Sequence, residues 1–217
     1  MKIVNIITLG CAKNRVDSEH IAAQLAKAGY EIRFDSDRTD AKVVVVNTCG
    51  FIGDAKEESI NMILEVCELK AKKKVREVFV MGCLSERYMA ELGDEIPQVD
   101  KYYGKFDWTN LINDLKGEGN DSQSSTVTCQ LDRVQTTPSH YAYVKISEGC
   151  DRTCAYCAIP IITGHHVSRP MEDVVEEVRL LVSKGVSEIQ LIAQDLTYYA
   201  VDLYKKQCIA ELVERIA

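Results

Sequence analysis

Three cysteines fall within eight residues at Cys150-Asp151-Arg152-Thr153-Cys154-Ala155-Tyr156-Cys157. Their spacing, C-x3-C-x2-C, follows the strand-like run Tyr141 to Ile146. Thiolate sulfur is the preferred ligand of iron–sulfur clusters. A cubane with three protein thiolates keeps one iron open, and an open metal position is where a cofactor or substrate can bind. Three other readings of these residues stand beside this one. A Cys3His zinc site would recruit His165 or His166, across a spacing that is long for zinc. A Cys154–Cys157 redox pair should open a helix after the first strand of a βαβ unit. Structural disulfides need an oxidising compartment.

A second group is scattered. Leu9-Gly10-Cys11, Val46-Asn47-Thr48-Cys49-Gly50 and Met81-Gly82-Cys83 each close an apolar, β-branched run. In open α/β sheets, ligands bind outside the carboxyl ends of the strands, and adjacent glycines permit close backbone approach there. The sequence thus offers a second three-thiolate site built from distant segments. The alternative is three small buried cysteines of a strand core. Of the remaining cysteines, Cys129 stands alone in a polar stretch, while Cys67 and Cys208 read as core positions.

The elements that must position these residues alternate strand and helix, which predicts an α/β fold with a mostly parallel sheet. Strands are expected over 2–9, 31–34, 43–46, 75–81 and 99–103. Between and after them come helices over 16–28, closed by Gly29, over 85–92 and over 106–115. One more helix is expected from Asp54, with Glu57 as its capping-box partner and Ile60, Ile63, Leu64 and Cys67 as its apolar stripe. Residues 1–116 form this first domain, and the polar stretch 117–139 reads as a linker. A second α/β unit, 140–217, opens with the strand 141–146 and the cysteine loop 147–169. Pro170 takes a favoured first helical position, with Val174, Val178, Leu181 and Val182 on one face and Gly185 as the stop. The strand 188–193 then delivers Gln194-Asp195 to its carboxyl end, where a βα barrel places its active groups.

The totals constrain partners. Formal net charge is −7 and the pI is near 5.2, which argues against a broad nucleic-acid footprint and suits a basic protein partner. No run of eighteen apolar residues reads as a membrane span. The start, Met1-Lys2 followed by seven residues interrupted at Asn5, mimics a short lipoprotein signal but reads better as a first strand. A cytoplasmic location is therefore expected, with the nine cysteines as metal ligands or buried thiols.

Cys150, Cys154 and Cys157, with Tyr156 before the third, resemble the signature of radical S-adenosylmethionine (SAM) enzymes. Thr8 to Asn14, Asn47 to Ile52 and Gly82-Cys83-Leu84 resemble the N-terminal domain of methylthiotransferases, and the similarity runs from residue 3 to about 215. The resemblance implies an N-terminal parallel-sheet domain followed by the first βα units of a partial TIM-like barrel. It implies two 4Fe-4S clusters, one on Cys150, Cys154 and Cys157 with SAM at its open iron, and an auxiliary one on Cys11, Cys49 and Cys83. It places Tyr156 near the adenine of SAM, Gln194 near SAM, and Arg169 of Ser168-Arg169 toward the SAM carboxylate. It implies no catalytic residues beyond the cluster ligands.

Leu9 to Asn14 and Cys49 to Ile52 resemble the branch that modifies an aspartate β-carbon of small-subunit ribosomal protein twelve. The tRNA-adenosine branch tends to carry Gln-Met-Asn after the first cysteine and Val-Arg after the second; neither stands here. Expected partners are the ribosomal protein, a reductant such as flavodoxin or ferredoxin, and a sulfur donor, with no membrane and no direct nucleic-acid substrate. A non-catalytic iron–sulfur or zinc-binding module is the reading from another class. The sequence departs from the family at Thr163-Gly164, where many relatives carry Arg before the glycine, and at Ala200, where glycine is usual. Family barrels have about six βα units against two here, which implies a C-terminally truncated chain that is poorly active alone.

Overall fold

The computed structural model describes residues 2–37, 40–117 and 133–217. These fall into two compact units, one on each side of 118–132. Cys129 and most of the expected linker lie outside the described residues.

In the first unit five parallel strands pair among the described residues, in the order β2-β1-β3-β4-β5. They are β1 (Ile3–Thr8), β2 (Glu31–Phe34), β3 (Val43–Thr48), β4 (Glu77–Gly82) and β5 (Lys101–Tyr102). The chain returns over the faces of the sheet through α1 (Ala12–Lys27), α2 (Gly53–Ala71) and α3 (Cys83–Glu95), the link from β2 to β3 carrying no helix among the described residues, and α4 (Trp108–Lys116) closes the unit. All of β3 is buried, because helices cover both faces of the central strand. That is why Val43 to Val46 shows no polar alternation.

Two cores result. Ile6, Ile21, Leu25, Val45, Met81 and Leu111 fill one face. Val44, Val46, Ile63, Val66, Val80 and Leu84 fill the other. Burial of each such Ile or Leu contributes about 2 kcal/mol.

Local expectations hold for most elements and fail at some edges. α1 begins at Ala12 rather than Val16, because extended Cys11 serves as its N-cap. α2 has Ile52 as N-cap with no side-chain cap bond, so Asp54 lies within the first turn. There its charge complements the helix dipole rather than capping the end. Leu64 is 45% exposed, and the buried stripe is Ser59, Ile63, Val66 and Cys67. Its i, i+4, i+7, i+8 spacing is the helical one, with Ser59 and Val66 buried where the expected stripe had Ile60 and Leu64. α3 starts at Cys83 itself.

The second unit pairs β6 (Tyr141–Lys145) in parallel with β9 (Glu188–Ile192), and β7 (Ser147–Glu148) antiparallel with β8 (Val167–Ser168). The helices are α5 (Ile159–Thr163), α6 (Met171–Ser183), α7 (Val201–Tyr204) and α8 (Ile209–Ile216), with a 3-10 turn at Leu196–Tyr198. Ala142, Val144, Val174, Val178, Leu181, Tyr199 and Leu212 form its core. Pro170 is the N-cap of α6, not its first residue; its extended ψ of 140° delays the helix to Met171. Val182 is exposed and Val175 takes the expected core place. Among the described residues, no helix is long and apolar enough to cross a membrane.

Candidate functional site

β1, β3 and β4 are neighbours in the sheet, and their carboxyl ends carry Cys11, Cys49 and Cys83. The order 2-1-3-4-5 reverses direction between β1 and β3, and a doubly wound sheet opens a ligand crevice at such a point. Cys11 caps α1 and Cys83 opens α3. Two of the three sulfurs therefore sit at helix N-termini, whose partial positive charge favours anionic sulfur.

Neutral hydrogen bonds lock the three strand ends together. The buried Asn14 amide donates to the carbonyls of Leu9 (3.0 Å) and Thr48 (2.9 Å). Asn47 donates to the Asn14 carbonyl and to Ser18 Oγ, both at 3.0 Å. Ser59 Oγ accepts from the Cys49 amide and donates to its carbonyl. At Gly82 (φ +102°), a Cβ would stand 2.5 Å from Asn47 Oδ1 and 2.6 Å from the Thr48 carbonyl oxygen, so only glycine lets β4 close on β3. Cys49 lies against Gly10, where a Cβ would be 2.8 Å from the Cys49 sulfur.

Burial pushes the Cys83 thiol up to about 12; Lys105 pulls it down, while Cys11 and Cys49 add to the rise. The Cys83 thiol donates to Asn14 Oδ1 at 3.7 Å, and Cys49 lies against Gly10 beside Cys11, which gathers the three strand-end cysteines. Ligation has to displace the Cys83 proton. The donor set, three gathered thiols at a ligand crevice with two at helix N-termini, fits a thiolate-ligated cluster.

The second trio is local and open. Cys154 is exposed, and Cys150 and Cys157 are half-buried. The Cys157 amide donates to the Cys154 carbonyl, and the Cys150 amide to that of Gly164, both at 3.1 Å. Gly149 (φ +69°) makes this possible, because a Cβ there would collide with the His165 carbonyl oxygen.

Two carboxylates pin the loop. Asp151 Oδ1 meets His165 Nδ1 at 2.8 Å and accepts from the His166 amide at 3.2 Å, and these contacts hold its carboxyl below the usual range. Arg152 Nε donates to Asp195 Oδ2 at 2.8 Å, with the guanidinium 4.8 Å from the centre of the Tyr198 ring. Asp195 also accepts from the Thr197 hydroxyl and amide; the Thr197 hydroxyl and then Arg152 lower its carboxyl. The cysteine loop is thereby fastened to the turn that follows β9.

Behind it, Ser168 Oγ accepts from the Ala200 amide at 2.8 Å and meets His166 Nε2 at 2.9 Å. Asp202 accepts from the Ser168 amide at 2.8 Å. Burial would raise the Asp202 carboxyl, but the Ser168 amide and hydroxyl bring it below its ordinary value. Ala200 has φ +67°, the left-handed region where glycine is at ease.

Tyr156 stands 92% exposed on this loop, and Gln194 is half-buried just past the end of β9. Arg169 Nη1 donates to Glu177 and to the Lys145 carbonyl. Glu177, whose side chain is 1% exposed, also pairs with Arg133. The carboxylate that Arg169 meets in this structure is therefore Glu177.

His165 and His166, the histidines a zinc site would need, are committed to Asp151 and Ser168. Among the described residues, no three His, Cys, Asp or Glu side chains are grouped to hold a metal ion. A cubane asks for a looser arrangement, since each thiolate bonds a different iron. All eight described cysteines are free thiols. Sequence reasoning passed over Asn14, Asp151, Arg152 and Lys105. The first three lie inside the cysteine motifs, which was the available signal.

Residues 3–104 match the model of a family described as "Uncharacterized protein family UPF0004", and residues 144–216 match that of the "Radical SAM superfamily". The "Ribosomal protein uS12 methylthiotransferase RimO" of Phocaeicola vulgatus is 61% identical over 214 residues, covering 99% of this chain and 48% of that protein. Its namesake in Bacteroides fragilis is 60% identical over 216 residues, covering 100% of this chain and 49% of that protein. The chain spans about half the length of the curated relatives it matches.

Among solved structures, the radical SAM methyltransferase TsrM from Kitasatospora setae superposes with a TM-score of 0.64 at 13% identity, covering 99% of this chain and 50% of that one. The cobalamin-dependent SAM radical enzyme OxsB gives 0.58 at 13% identity, covering 100% and 36%. These likenesses are of fold.

Proposed function

We propose, from the premise that this chain belongs to the radical SAM methylthiotransferases, that its protein adds a methylthio group to an aspartate β-carbon of ribosomal protein uS12. The observation that carries this reading is the 61% identity to a protein of that name, in an alignment running over 99% of the chain and so through both cysteine sets. The net charge of −7 suits a basic ribosomal protein as partner.

In this reading Cys150, Cys154 and Cys157 would hold a 4Fe-4S cluster that works with SAM, and Cys11, Cys49 and Cys83 would hold an auxiliary one. Bound together, the first cluster and SAM supply a radical route to an unactivated C–H bond, chemistry that belongs to the cofactors. The chain's own groups position them. Asp151 and Arg152 fix the loop that presents the three thiols. Tyr156 offers an exposed ring for stacking on the adenine, and Gln194 a polar edge at the mouth of β9. Arg169, paired with Glu177 in this structure, would exchange that partner for the SAM carboxylate. Domain limits of 1–116, 117–139 and 140–217, a cytoplasmic setting, a flavodoxin- or ferredoxin-like reductant and a sulfur donor complete the proposal.

Anaerobic reconstitution tests it first. About eight irons with matching sulfide support two cubanes; zinc without sulfide sinks the reading. The reduced whole protein with SAM should then release 5′-deoxyadenosine and raise the mass of uS12 by one methylthio group. Modification of tRNA adenosine with uS12 left unchanged would overturn the choice of substrate.

A further inference from the structure

The strand-end trio has a neighbour that the three-thiol description leaves out. Lys105 is 3% exposed, although a lysine side chain normally keeps its ammonium in water. The segment after β5 folds it inward. Gly104 donates its amide to Asp107 at 3.0 Å, and the Lys105 amide donates to Glu86 Oε2 at 2.8 Å. Glu86 lies in the first turn of α3, three residues beyond Cys83. A Cβ on Gly104 would strike that same carboxylate, so a glycine here lets the segment press against the start of α3.

The ammonium that this fold turns in has Asp17 of α1 at 3.5 Å and the Phe106 ring at 4.6 Å to its centre. Asp17 lies in α1, which Cys11 caps, and Glu86 in α3, which Cys83 opens, so Lys105 is held between the two helices that start at the sulfur site. A buried cation and a partly buried anion thus both bear on the sulfur site, with opposite signs.

We infer that Lys105 and Asp17 are positioning residues that set the electron affinity of the cluster held by Cys11, Cys49 and Cys83. The inference rests on the two-cluster reading above and goes beyond its ligand list. Each electron added to a three-thiolate cluster adds negative charge beside the buried Cys49 and half-buried Cys83, and low dielectric magnifies the influence of nearby fixed charges. An enclosed ammonium favours the reduced form, and a carboxylate beside it disfavours that form. Lys105 therefore raises the potential of this cluster and Asp17 lowers it. The loop cluster is bordered by a more exposed pair, Arg152–Asp195.

The test uses the full chain with Cys150, Cys154 and Cys157 all replaced by Ala, so that the strand-end site alone is loaded. The midpoint potential is read by electron paramagnetic resonance during redox titration, with iron and sulfide counted on the same samples. Lys105→Met should shift the reduction equilibrium about tenfold toward the oxidised form, which is 59 mV for one electron. Lys105→Arg should keep the parent potential, and Asp17→Asn should shift it the opposite way.

Iron retained with the potential unmoved in Lys105→Met overturns the inference alone. If Lys105→Met loses its iron, Asp17→Asn decides: a higher potential supports the inference, and an unchanged or lower one overturns it. Absence of any iron–sulfur cluster in the parent overturns the two-cluster reading and this inference with it.

Discussion

The two three-cysteine sites reach the same donor count by opposite routes. Cys150, Cys154 and Cys157 share one exposed loop, so eight residues of sequence specify them. Cys11, Cys49 and Cys83 meet only because β1, β3 and β4 are neighbours in one sheet. Their anchors differ in kind as well. Neutral amides and hydroxyls of Asn14, Asn47, Ser18 and Ser59 hold the strand-end site. Carboxylates of Asp151, Asp195 and Asp202 hold the loop and its backing. Compact chemistry can be carried by a short motif, whereas a dispersed site inherits the stability of its whole domain.

The most severe test of that contrast is a pair of glycine replacements. Gly82→Ala forces a Cβ onto Asn47 and Thr48 and should destabilise the first unit by about 3 kcal/mol. Gly149→Ala drives one into His165 and should disrupt only the loop. After reconstitution each variant should keep about four of about eight irons. If either replacement emptied both sites, the two would not be independent.

Asn14→Ala comes next. It leaves the Leu9 and Thr48 carbonyls without their buried donor, at a cost of about 2 kcal/mol. Urea denaturation followed by Trp108 fluorescence, a probe in the first unit, should show a lower midpoint, while protease susceptibility of the loop stays as it was.

Ala200→Gly should act the other way and more weakly. Relief of the left-handed backbone at φ +67° exceeds the added chain entropy by about 0.5 kcal/mol. Hydrogen exchange at the Ala200 position and its neighbours should slow slightly, with the first unit unaffected.

Acid gives the smallest energetic change and the sharpest discrimination. The folded-state carboxyls of Asp151, Asp195 and Asp202 lie below their ordinary value of 3.8. Their contribution is therefore complete above that value and lost as pH falls through the depressed ones. The loop should become accessible to pepsin between about pH 4 and pH 2, before the amide-held strand ends open. Asp195→Asn should reproduce part of that accessibility at neutral pH with a stability change under about 0.5 kcal/mol. Equal sensitivity of both sites to acid would erase the distinction between their anchors.

What could be read in advance follows the same division. The run from Val43 announced its strand by β-branched residues alone, and the glycine beside each strand-end cysteine pointed to a carboxyl end. The convergence of those ends depends on strand order, which no local pattern encodes. Leu64 and Val182 were misplaced because apolar spacing at the edge of a helical stripe does not say where the neighbouring element stops. Asp54 was assigned a cap from a sequence pattern that the chain satisfied with extended Ile52 instead. Lys105 was invisible for a plainer reason: a lysine in a polar segment reads as solvated until the fold turns it inward.

The adjacency of β1, β3 and β4 also bears on the order in which the protein comes into being. A chain emerging from the ribosome folds its N-terminal domain first, at roughly 5–20 residues added per second. Cys11 and Cys49 have no third partner until β4 docks on β3 and swings Cys83 into place. The strand-end site is thus complete only when the last central strand closes, and full chelation waits on the fold. The loop trio exists as a chelating peptide from the moment its eight residues are exposed, and depends on what metal the cell offers at that moment.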